Sequence, residues 1–388
     1  MYDKVQLKKG KETIVLRGHP WIFSGAFAQS YSNDIEEGKV IEVYSSEDQF
    51  ICMAHFQDAS IAGRVLSYKK ESIHLDFYKN KLQRALELRN DLIHNNETNA
   101  FRWIHGEGDG LPGLVIDVYD RHVILELHSK GMYQDREVIA EAVQSLMPST
   151  ETIYASLPSI LKQNSAWESH YLLGQTSESV IIENGNQFLV NWESGQKTGF
   201  FLDQRENRAL LGSLSKNKSV LNLFSYSGGF SIYALSQGAQ SVESVDISEH
   251  AVSLCKRNEE LNGYSGGAHT IRRLDIMKDS ISDQLFDIVI VDPPAFAKNI
   301  KKRHKAVQAY KRLNQKALKL VKPSGLLMTY SCSQVVSDQL FLDTIRSAFI
   351  AERQQGQILK HLEQGMDHPV SLTHEEGHYL KGLLIRKV

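Results

Sequence analysis

VLNLFSYSGGFSIYAL, residues 220–235, decides the architecture of the C-terminal half. VLNLF is a short apolar run with the length of a buried strand. SYSGG is a small polar loop, and FSIYAL begins a helix. Gly228 and Gly229 let the backbone come close to a ligand, and the helix start leaves N–H groups without intrahelical partners. The loop is neither GxGxxG nor GxxxxGK[ST], so a dinucleotide fingerprint and a phosphate cradle are both disfavoured. Alone, the stretch also fits a plain strand-to-helix turn.

The surrounding sequence sharpens the reading. From about residue 200, SVLNLF, SVESVD, HTIRRLD, DIVIVD and GLLMTYS alternate with helical segments. That order predicts βαβ units, and so an α/β domain with a mostly parallel sheet covered on both faces. Three of these runs end in acids: Asp246, 18 residues after Gly228, then Asp275 and Asp292. Ligands of open parallel sheets lie outside the C-terminal strand ends, so the three carboxylates face one crevice. Asp246 is placed to accept both hydroxyls of a ribose, and Asp275 to meet an adenine amino group. Each acid separately also fits a helix N-cap; three in succession fit a ligand site better.

The series resembles the class I S-adenosylmethionine (SAM)-dependent methyltransferases over about residues 200–388. The resemblance implies a Rossmann-like domain. Its implied cofactor residues are Phe224, Ser225, Gly228, Gly229, Asp246, Ile247, Asp275, Ile276 and Asp292.

Asp292-Pro293-Pro294 is a rigid turn at the fourth strand. Two prolines fix φ and remove two N–H donors, leaving carbonyls free to face a flat polar ligand. It resembles the [DN]PP turn of methyltransferases acting on planar bases. Cys332, at the matching tip of the fifth strand, is expected beside Asp292. Carbon 5 of a pyrimidine is too weak a nucleophile to attack the SAM methyl group directly. A thiolate added at carbon 6 activates it, and a carboxyl group near N3 stabilises the charge that develops. Cys332 as nucleophile with Asp292 as partner therefore predicts cytosine-5 methylation; a buried structural cysteine is the bland alternative. Some RNA cytosine-5 enzymes carry a second cysteine directly after Pro-Pro. Ala295 stands there instead, so product release needs another base or water.

Between these motifs, residues 293–337 contain no acid and ten Lys and Arg. A solvated helix face normally mixes signs, whereas a one-signed patch beside an active site fits a phosphate backbone. Lys298, Lys301, Lys302, Arg303, Lys305 and Arg312 are the expected RNA contacts. Phe296 and Tyr310 fit base stacking or the core equally well.

The rest of the 388 residues is ordinary for a globular protein: 41% hydrophobic, 23% charged, net charge -2, so any nucleic-acid signal has to be local. Cys52, Cys255 and Cys332 lie too far apart for a disulfide framework or a CxxC metal pair, and no metal is expected. Cys52 and Cys255 read as packing residues. The opening MYDKVQLKKGKE has no apolar signal core, and no run of about 18 apolar residues marks a membrane span; a reducing cytoplasm is expected. Residues 1–72 read as β-rich, with RGHPWIFSGA (17–26) as a turn anchored by tryptophan. Residues 73–190 read as α+β: a helix at 75–94, strands around the turn-rich GEGDGLPG, a helix near 133–147 and a strand at 152–156. VIIENGNQFLVNW (180–192) reads as a hairpin turning at Asn184-Gly185.

RGHPWIFSGA, GEGDGLPGL, GQKTGFFLDQRENR (195–208), LFSYSGGFS, VDPPAF and SCS together span nearly the whole chain. The set resembles the RlmI-like ribosomal RNA large-subunit methyltransferases. That resemblance implies a PUA RNA-binding domain (1–72), a central α+β domain (73–190) and a methyltransferase domain (191–388). It also implies cytosine-5 methylation of large-subunit ribosomal RNA, release of S-adenosylhomocysteine, and often a homodimer. GQKTGFFLDQRENR would form a lid, bringing Lys197, Phe201, Asp203, Gln204 and Arg205 near the cofactor or base. Relatives with this layout that methylate guanine N7 need no thiolate, so N7 stays the alternative reaction. A non-catalytic RNA-binding factor is the third reading, disfavoured by the acid series.

Overall fold

The computed structural model describes residues 2–28, 35–93, 97–158, 161, 167–297 and 299–388. It divides into two compact units. One comprises Met1–Ile181, Val190–Phe200 and Met366–Gly377; the other comprises Ile182–Leu189, Phe201–Gly365 and His378–Val388. Among the described residues no helix is long and apolar enough to cross a membrane.

The first unit carries two sheets. β1 (Asp3–Gln6), β2 (Trp21–Phe23), β3 (Val40–Tyr44), β4 (Phe50–Phe56) and β5 (Ile61–Ser67) form the order β1-β3-β4-β5-β2. Only β1 and β3 pair in parallel. RGHPWIFSGA is more than the expected turn. Trp21 opens strand β2 against β5, and its indole Nε1 donates to Glu107 Oε1 at 2.8 Å. Three residues are too few for an alternating pattern to show in sequence.

The second sheet, in the order β10-β9-β8-β7-β6, contains β6 (Ala100–His105), β7 (Leu114–Tyr119), β8 (His122–Leu127), β9 (Thr152–Ser156) and β10 (His170–Leu173). The expected helices are at Leu75–Leu92 and Arg136–Leu146. On the first, Tyr78, Leu82 and Ala85 form the buried stripe that 3.6-residue periodicity demands. The GEGDGLPG loop is held by a buried fork: Arg89 donates to both oxygens of Asp109, at 2.6 and 2.8 Å. Opening such a pair by removing one partner costs about 3–5 kcal/mol. β11 (Glu178–Glu183) and β12 (Asn186–Asn191) form the expected hairpin. Asn184 and Gly185 have φ of +47° and +78°, as a two-residue hairpin turn requires.

The second unit is built on seven strands: β13 (Ser219–Leu223), β14 (Ser241–Asp246), β15 (His269–Arg273), β16 (Phe286–Val291), β17 (Val321–Ser331), β18 (Gly356–Leu362) and β19 (Lys381–Lys387). Their order is β15-β14-β13-β16-β17-β19-β18. β13 to β17 are parallel, as expected; β19 runs antiparallel to both neighbours. The strand order reverses at β13, which lies between β14 and β16. That reversal opens a crevice at the C-terminal strand ends, the place where such sheets bind ligands.

Candidate active site

The loop after β13 is conformationally unusual. Phe224, Tyr226 and Gly228 have φ of +61°, +44° and +77°. Left-handed backbone is disfavoured for side-chain-bearing residues, and such strain concentrates at functional loops. Asp246 at the end of β14 holds it: Oδ2 accepts the Tyr226 N–H at 3.0 Å and Oδ1 the Ser248 N–H at 2.9 Å. Asn258 Nδ2 donates to the Ser227 carbonyl at 2.8 Å. The glycines are needed for packing behind the loop. A Cβ on Gly228 would lie 2.5 Å from Cys255 Sγ, and one on Gly229 would lie 3.0 Å from Arg208 Cδ. The pair thus has a packing role in addition to the backbone approach expected from the sequence. Cys255 is buried beneath the loop, and burial pushes its thiol up to about 12; Cys52 is buried likewise and also pushed up to about 12. Both fit packing roles.

The residues present fit SAM. Asp246 keeps acceptor lone pairs beyond its two backbone bonds, since a carboxylate offers about four. Beside it, Ile247 exposes 54% of its surface, an apolar face next to the acid. The Ser225 hydroxyl is buried in the strained loop with no hydrogen-bond partner, a group that a polar ligand would satisfy. Asp275 lies two residues beyond β15. It accepts the Met277 N–H at 3.0 Å and pairs with Lys278 at 3.1 Å, which holds its carboxyl below the ordinary range. Ile276 is buried.

Asp292 directly follows β16, and Cys332 directly follows β17. The two strands pair in parallel, with Val291 opposite Thr329. Gln204 Nε2 donates to Asp292 Oδ2 at 3.0 Å, and Asn207 Nδ2 fixes the amide by donating to Gln204 Oε1 at 2.6 Å. The Cys332 thiol is half-buried.

The 201–208 segment is anchored from within the second unit. Arg208 donates to both oxygens of Glu183 at 2.8 Å and to the Phe201 carbonyl at 2.9 Å. Tyr233 also donates to Glu183, at 3.0 Å. The rings of Phe201 and Tyr226 meet edge-on, 5.3 Å apart. Asp203 is buried and accepts from the Tyr379 hydroxyl at 2.6 Å. Arg205 lies 3.7 Å from Glu183. Lys197 belongs to the first unit. Glu183, Arg208, Asn258 and Tyr379 were not read from the sequence, because their partners lie far away along the chain.

The basic segment divides. Lys301, Lys302, Arg303, Lys305 and Arg312 are exposed on the turn and helix of Ile300–Lys302 and Arg303–Leu320. Lys316 instead donates to the Met277 carbonyl at 2.7 Å, Lys319 pairs with Glu352 and Lys322 with Asp287. Lys298 lies outside the described residues. Tyr310 is fully buried, against Phe296 at 4.7 Å and near Phe341, so it is core rather than a stacking platform.

Residues 155–369 match the S-adenosylmethionine-dependent methyltransferase family, and residues 5–68 match a PUA-like domain. Fold and site therefore define a SAM-dependent methyltransferase carrying a PUA-like domain. The ribosomal RNA large subunit methyltransferase I of Aeromonas salmonicida (strain A449) is 37% identical over 391 residues, covering 98% of each chain. That of Alteromonas mediterranea is 37% identical over 392 residues, covering 99% of this chain and 98% of that one. SMU.776, solved in complex with SAH, superposes with a TM-score of 0.85 at 26% identity, over 99% of this chain and 100% of that one. The chain belongs to the ribosomal RNA large subunit methyltransferase I family, as its motif set predicted.

Proposed function

We propose that the chain methylates carbon 5 of a cytosine in large-subunit ribosomal RNA, with Cys332 as nucleophile and Asp292 as its partner. The observation that carries this is their placement directly beyond two paired parallel strands. SAM, when bound, supplies an electrophilic methyl group and leaves as S-adenosylhomocysteine. Phe201, Gln204, Phe224, Ser225, Gly228, Gly229, Asp246, Ile247, Asp275, Ile276 and Asp292 form the surroundings that hold it.

The Cys332 thiolate adds to carbon 6, and the electron pair of the 5,6 double bond makes carbon 5 nucleophilic. Asp292, oriented by Gln204, faces the N3 side of the ring; as the protonated acid it donates its proton to N3 as negative charge develops there, and takes it back when the thiolate leaves. After methylation, water takes the carbon-5 proton, the double bond re-forms and the thiolate leaves. Exposed Lys301, Lys302, Arg303, Lys305 and Arg312 contact RNA phosphates, and the PUA-like domain adds a second RNA contact. We also propose a homodimer. The apolar groove around Phe349, Ile350 and Ile358, at the edge strand β18, supports that reading.

The test is nucleoside mass spectrometry of unmodified ribosomal RNA incubated with the enzyme and SAM. 5-Methylcytosine is expected; Cys332→Ala should lose it while keeping SAM binding by calorimetry. If 7-methylguanine forms instead and survives Cys332→Ala, the reading fails.

A further inference from the structure

His19, His374 and Glu376 come together within the first unit. Each offers one ligand atom, and the three atoms lie within 4.8 Å of one another. Among the described residues no other group of three or more His, Cys, Asp and Glu side chains is so placed. Sequence spacing does not reveal it, because 355 residues separate His19 from His374. His19 stands two residues before β2, in the stretch that matches a PUA-like domain. His374 and Glu376 lie on the Met366–Gly377 segment, which belongs to the same unit.

The two pieces of chain are fastened to each other beside the cluster. Thr373 Oγ1 donates to the Gly18 carbonyl at 2.7 Å. The His374 ring packs edge-on against Trp21, with centres 4.3 Å apart. It meets the His19 ring at 88°, with centres 5.5 Å apart. Two imidazoles that share one zinc at about 2.0–2.1 Å in tetrahedral geometry have ring centres about 5 Å apart.

His374 carries the clearest signal. It is 3% exposed, and its Nδ1 is buried without a hydrogen-bond partner. A buried polar atom left in that state is costly and calls for an explanation. Glu376 Oε2 lies 3.0 Å from that nitrogen, yet the two make no hydrogen bond. Neighbouring donor atoms of a tetrahedral zinc site are about 3.3 Å apart. The Glu376 side chain is 58% exposed, so a rotamer change brings its oxygen into line and an ion enters from solvent. His19 is oriented by its other nitrogen. Nδ1 faces the N–H and the carbonyl of Trp21, at 3.1 and 3.2 Å. With its proton on Nδ1, donated to that carbonyl, the Nε2 lone pair is left for a metal, as in most ligating histidines.

We propose that His19, His374 and Glu376 form a site for a divalent transition-metal ion, zinc by preference, which clips residues 371–377 to the PUA-like domain. Two imidazoles and a carboxylate suit zinc, and three protein ligands leave a fourth position for water. The role is structural: no step of the methyl transfer passes through the ion.

The experiment is calorimetric titration of the full-length chain, first stripped with EDTA, with zinc chloride. One ion per chain is expected. Glu376→Gln and His19→Ala should each weaken binding at least about tenfold. His361→Ala, which removes an exposed histidine outside the cluster, should bind as the native chain does. That control matters in a chain with 15 histidines. Zinc should raise the melting temperature of the native chain and leave that of Glu376→Gln unmoved, because an ion that binds only the folded state stabilises it by mass action. Cobalt(II) in place of zinc should give a visible absorption band that the same variants lose. His374→Ala removes a buried ring; if its melt shows an opened fold, Glu376→Gln and His19→Ala carry the test. Absence of saturable zinc binding, or binding that Glu376→Gln and His19→Ala retain in full, overturns the site and leaves His374 and Glu376 as an ion pair only.

Discussion

His269 shows how much a single side chain decides here. Its imidazole lies buried in β15, with Nε2 2.7 Å from Ser244 Oγ. Ser244 Oγ is 2.6 Å from Ser231 Oγ, which accepts from Asn222 Nδ2 at 2.9 Å. A polar thread thus crosses β13, β14 and β15. Burial pulls His269 down to about 4, against about 6.5 in an unfolded chain. Between these values the unfolded state binds the extra proton, so acid favours unfolding there. Melting temperature should therefore fall as pH drops from about 6.5 towards 4, at most about 1.4 kcal/mol per pH unit from this group. His269→Gln should flatten that slope in thermal melts; an unchanged slope would place the acid sensitivity elsewhere. At this scale the sequence was informative where chemistry is local. Asp246, Asp292 and Cys332 stand out because reactive types end apolar runs. Tyr310 shows a choice that sequence leaves open: an aromatic residue in a basic segment fits a stacking ring or the core equally well until its burial is seen.

Among the elements, β13, β16 and β17 were legible as buried apolar runs bounded by turns, whereas β14 and β15 are mixed in character and were legible from their alternation with helical segments. β18 and β19 were not read. β18 is exposed at six of its seven positions, so it has no buried stripe to recognise. β19 is KGLLIRK, a four-residue apolar core that fits several structures. The hairpin β11–β12 was recognised by its Asn-Gly turn, but its structural role was not. Glu183 ends β11 and accepts the Arg208 fork in a fully buried setting. Burial would lower the arginine, but Glu183 reverses this and raises it. Glu183→Gln should cost about 3–5 kcal/mol in urea unfolding, because the guanidinium would stay buried without its counter-charge. Glu183→Gln combined with Arg208→Met should lose less than the two single changes summed. Strict additivity would mean that the pair does not act as a unit.

For the whole molecule, net charge says nothing about nucleic acid, yet the exposed cations of residues 301–312 share one sign. Replacing Lys301, Lys302 and Arg303 with alanine should weaken RNA binding and reduce the slope of log K against log salt by about 2–3. Fluorescence anisotropy with a ribosomal RNA fragment, from about 50 to 200 mM salt, measures this. An unaltered slope would make the strip a solubility device. Lys316, Lys319 and Lys322 should leave the slope alone, since each is occupied within the protein.

The division of the chain has a consequence for how it is made. The backbone passes between the two units at residues 181/182, 189/190, 200/201, 365/366 and 377/378. A catalytic fragment begun at residue 191 would leave Glu183 behind, stranding the Arg208 guanidinium. Synthesis on the ribosome also meets a delay. β17 waits for β19, drawn from residues 381–387, before its second edge is covered. Until then the growing chain holds an unpaired strand edge beside Cys332, a nascent surface of the kind that chaperones shield.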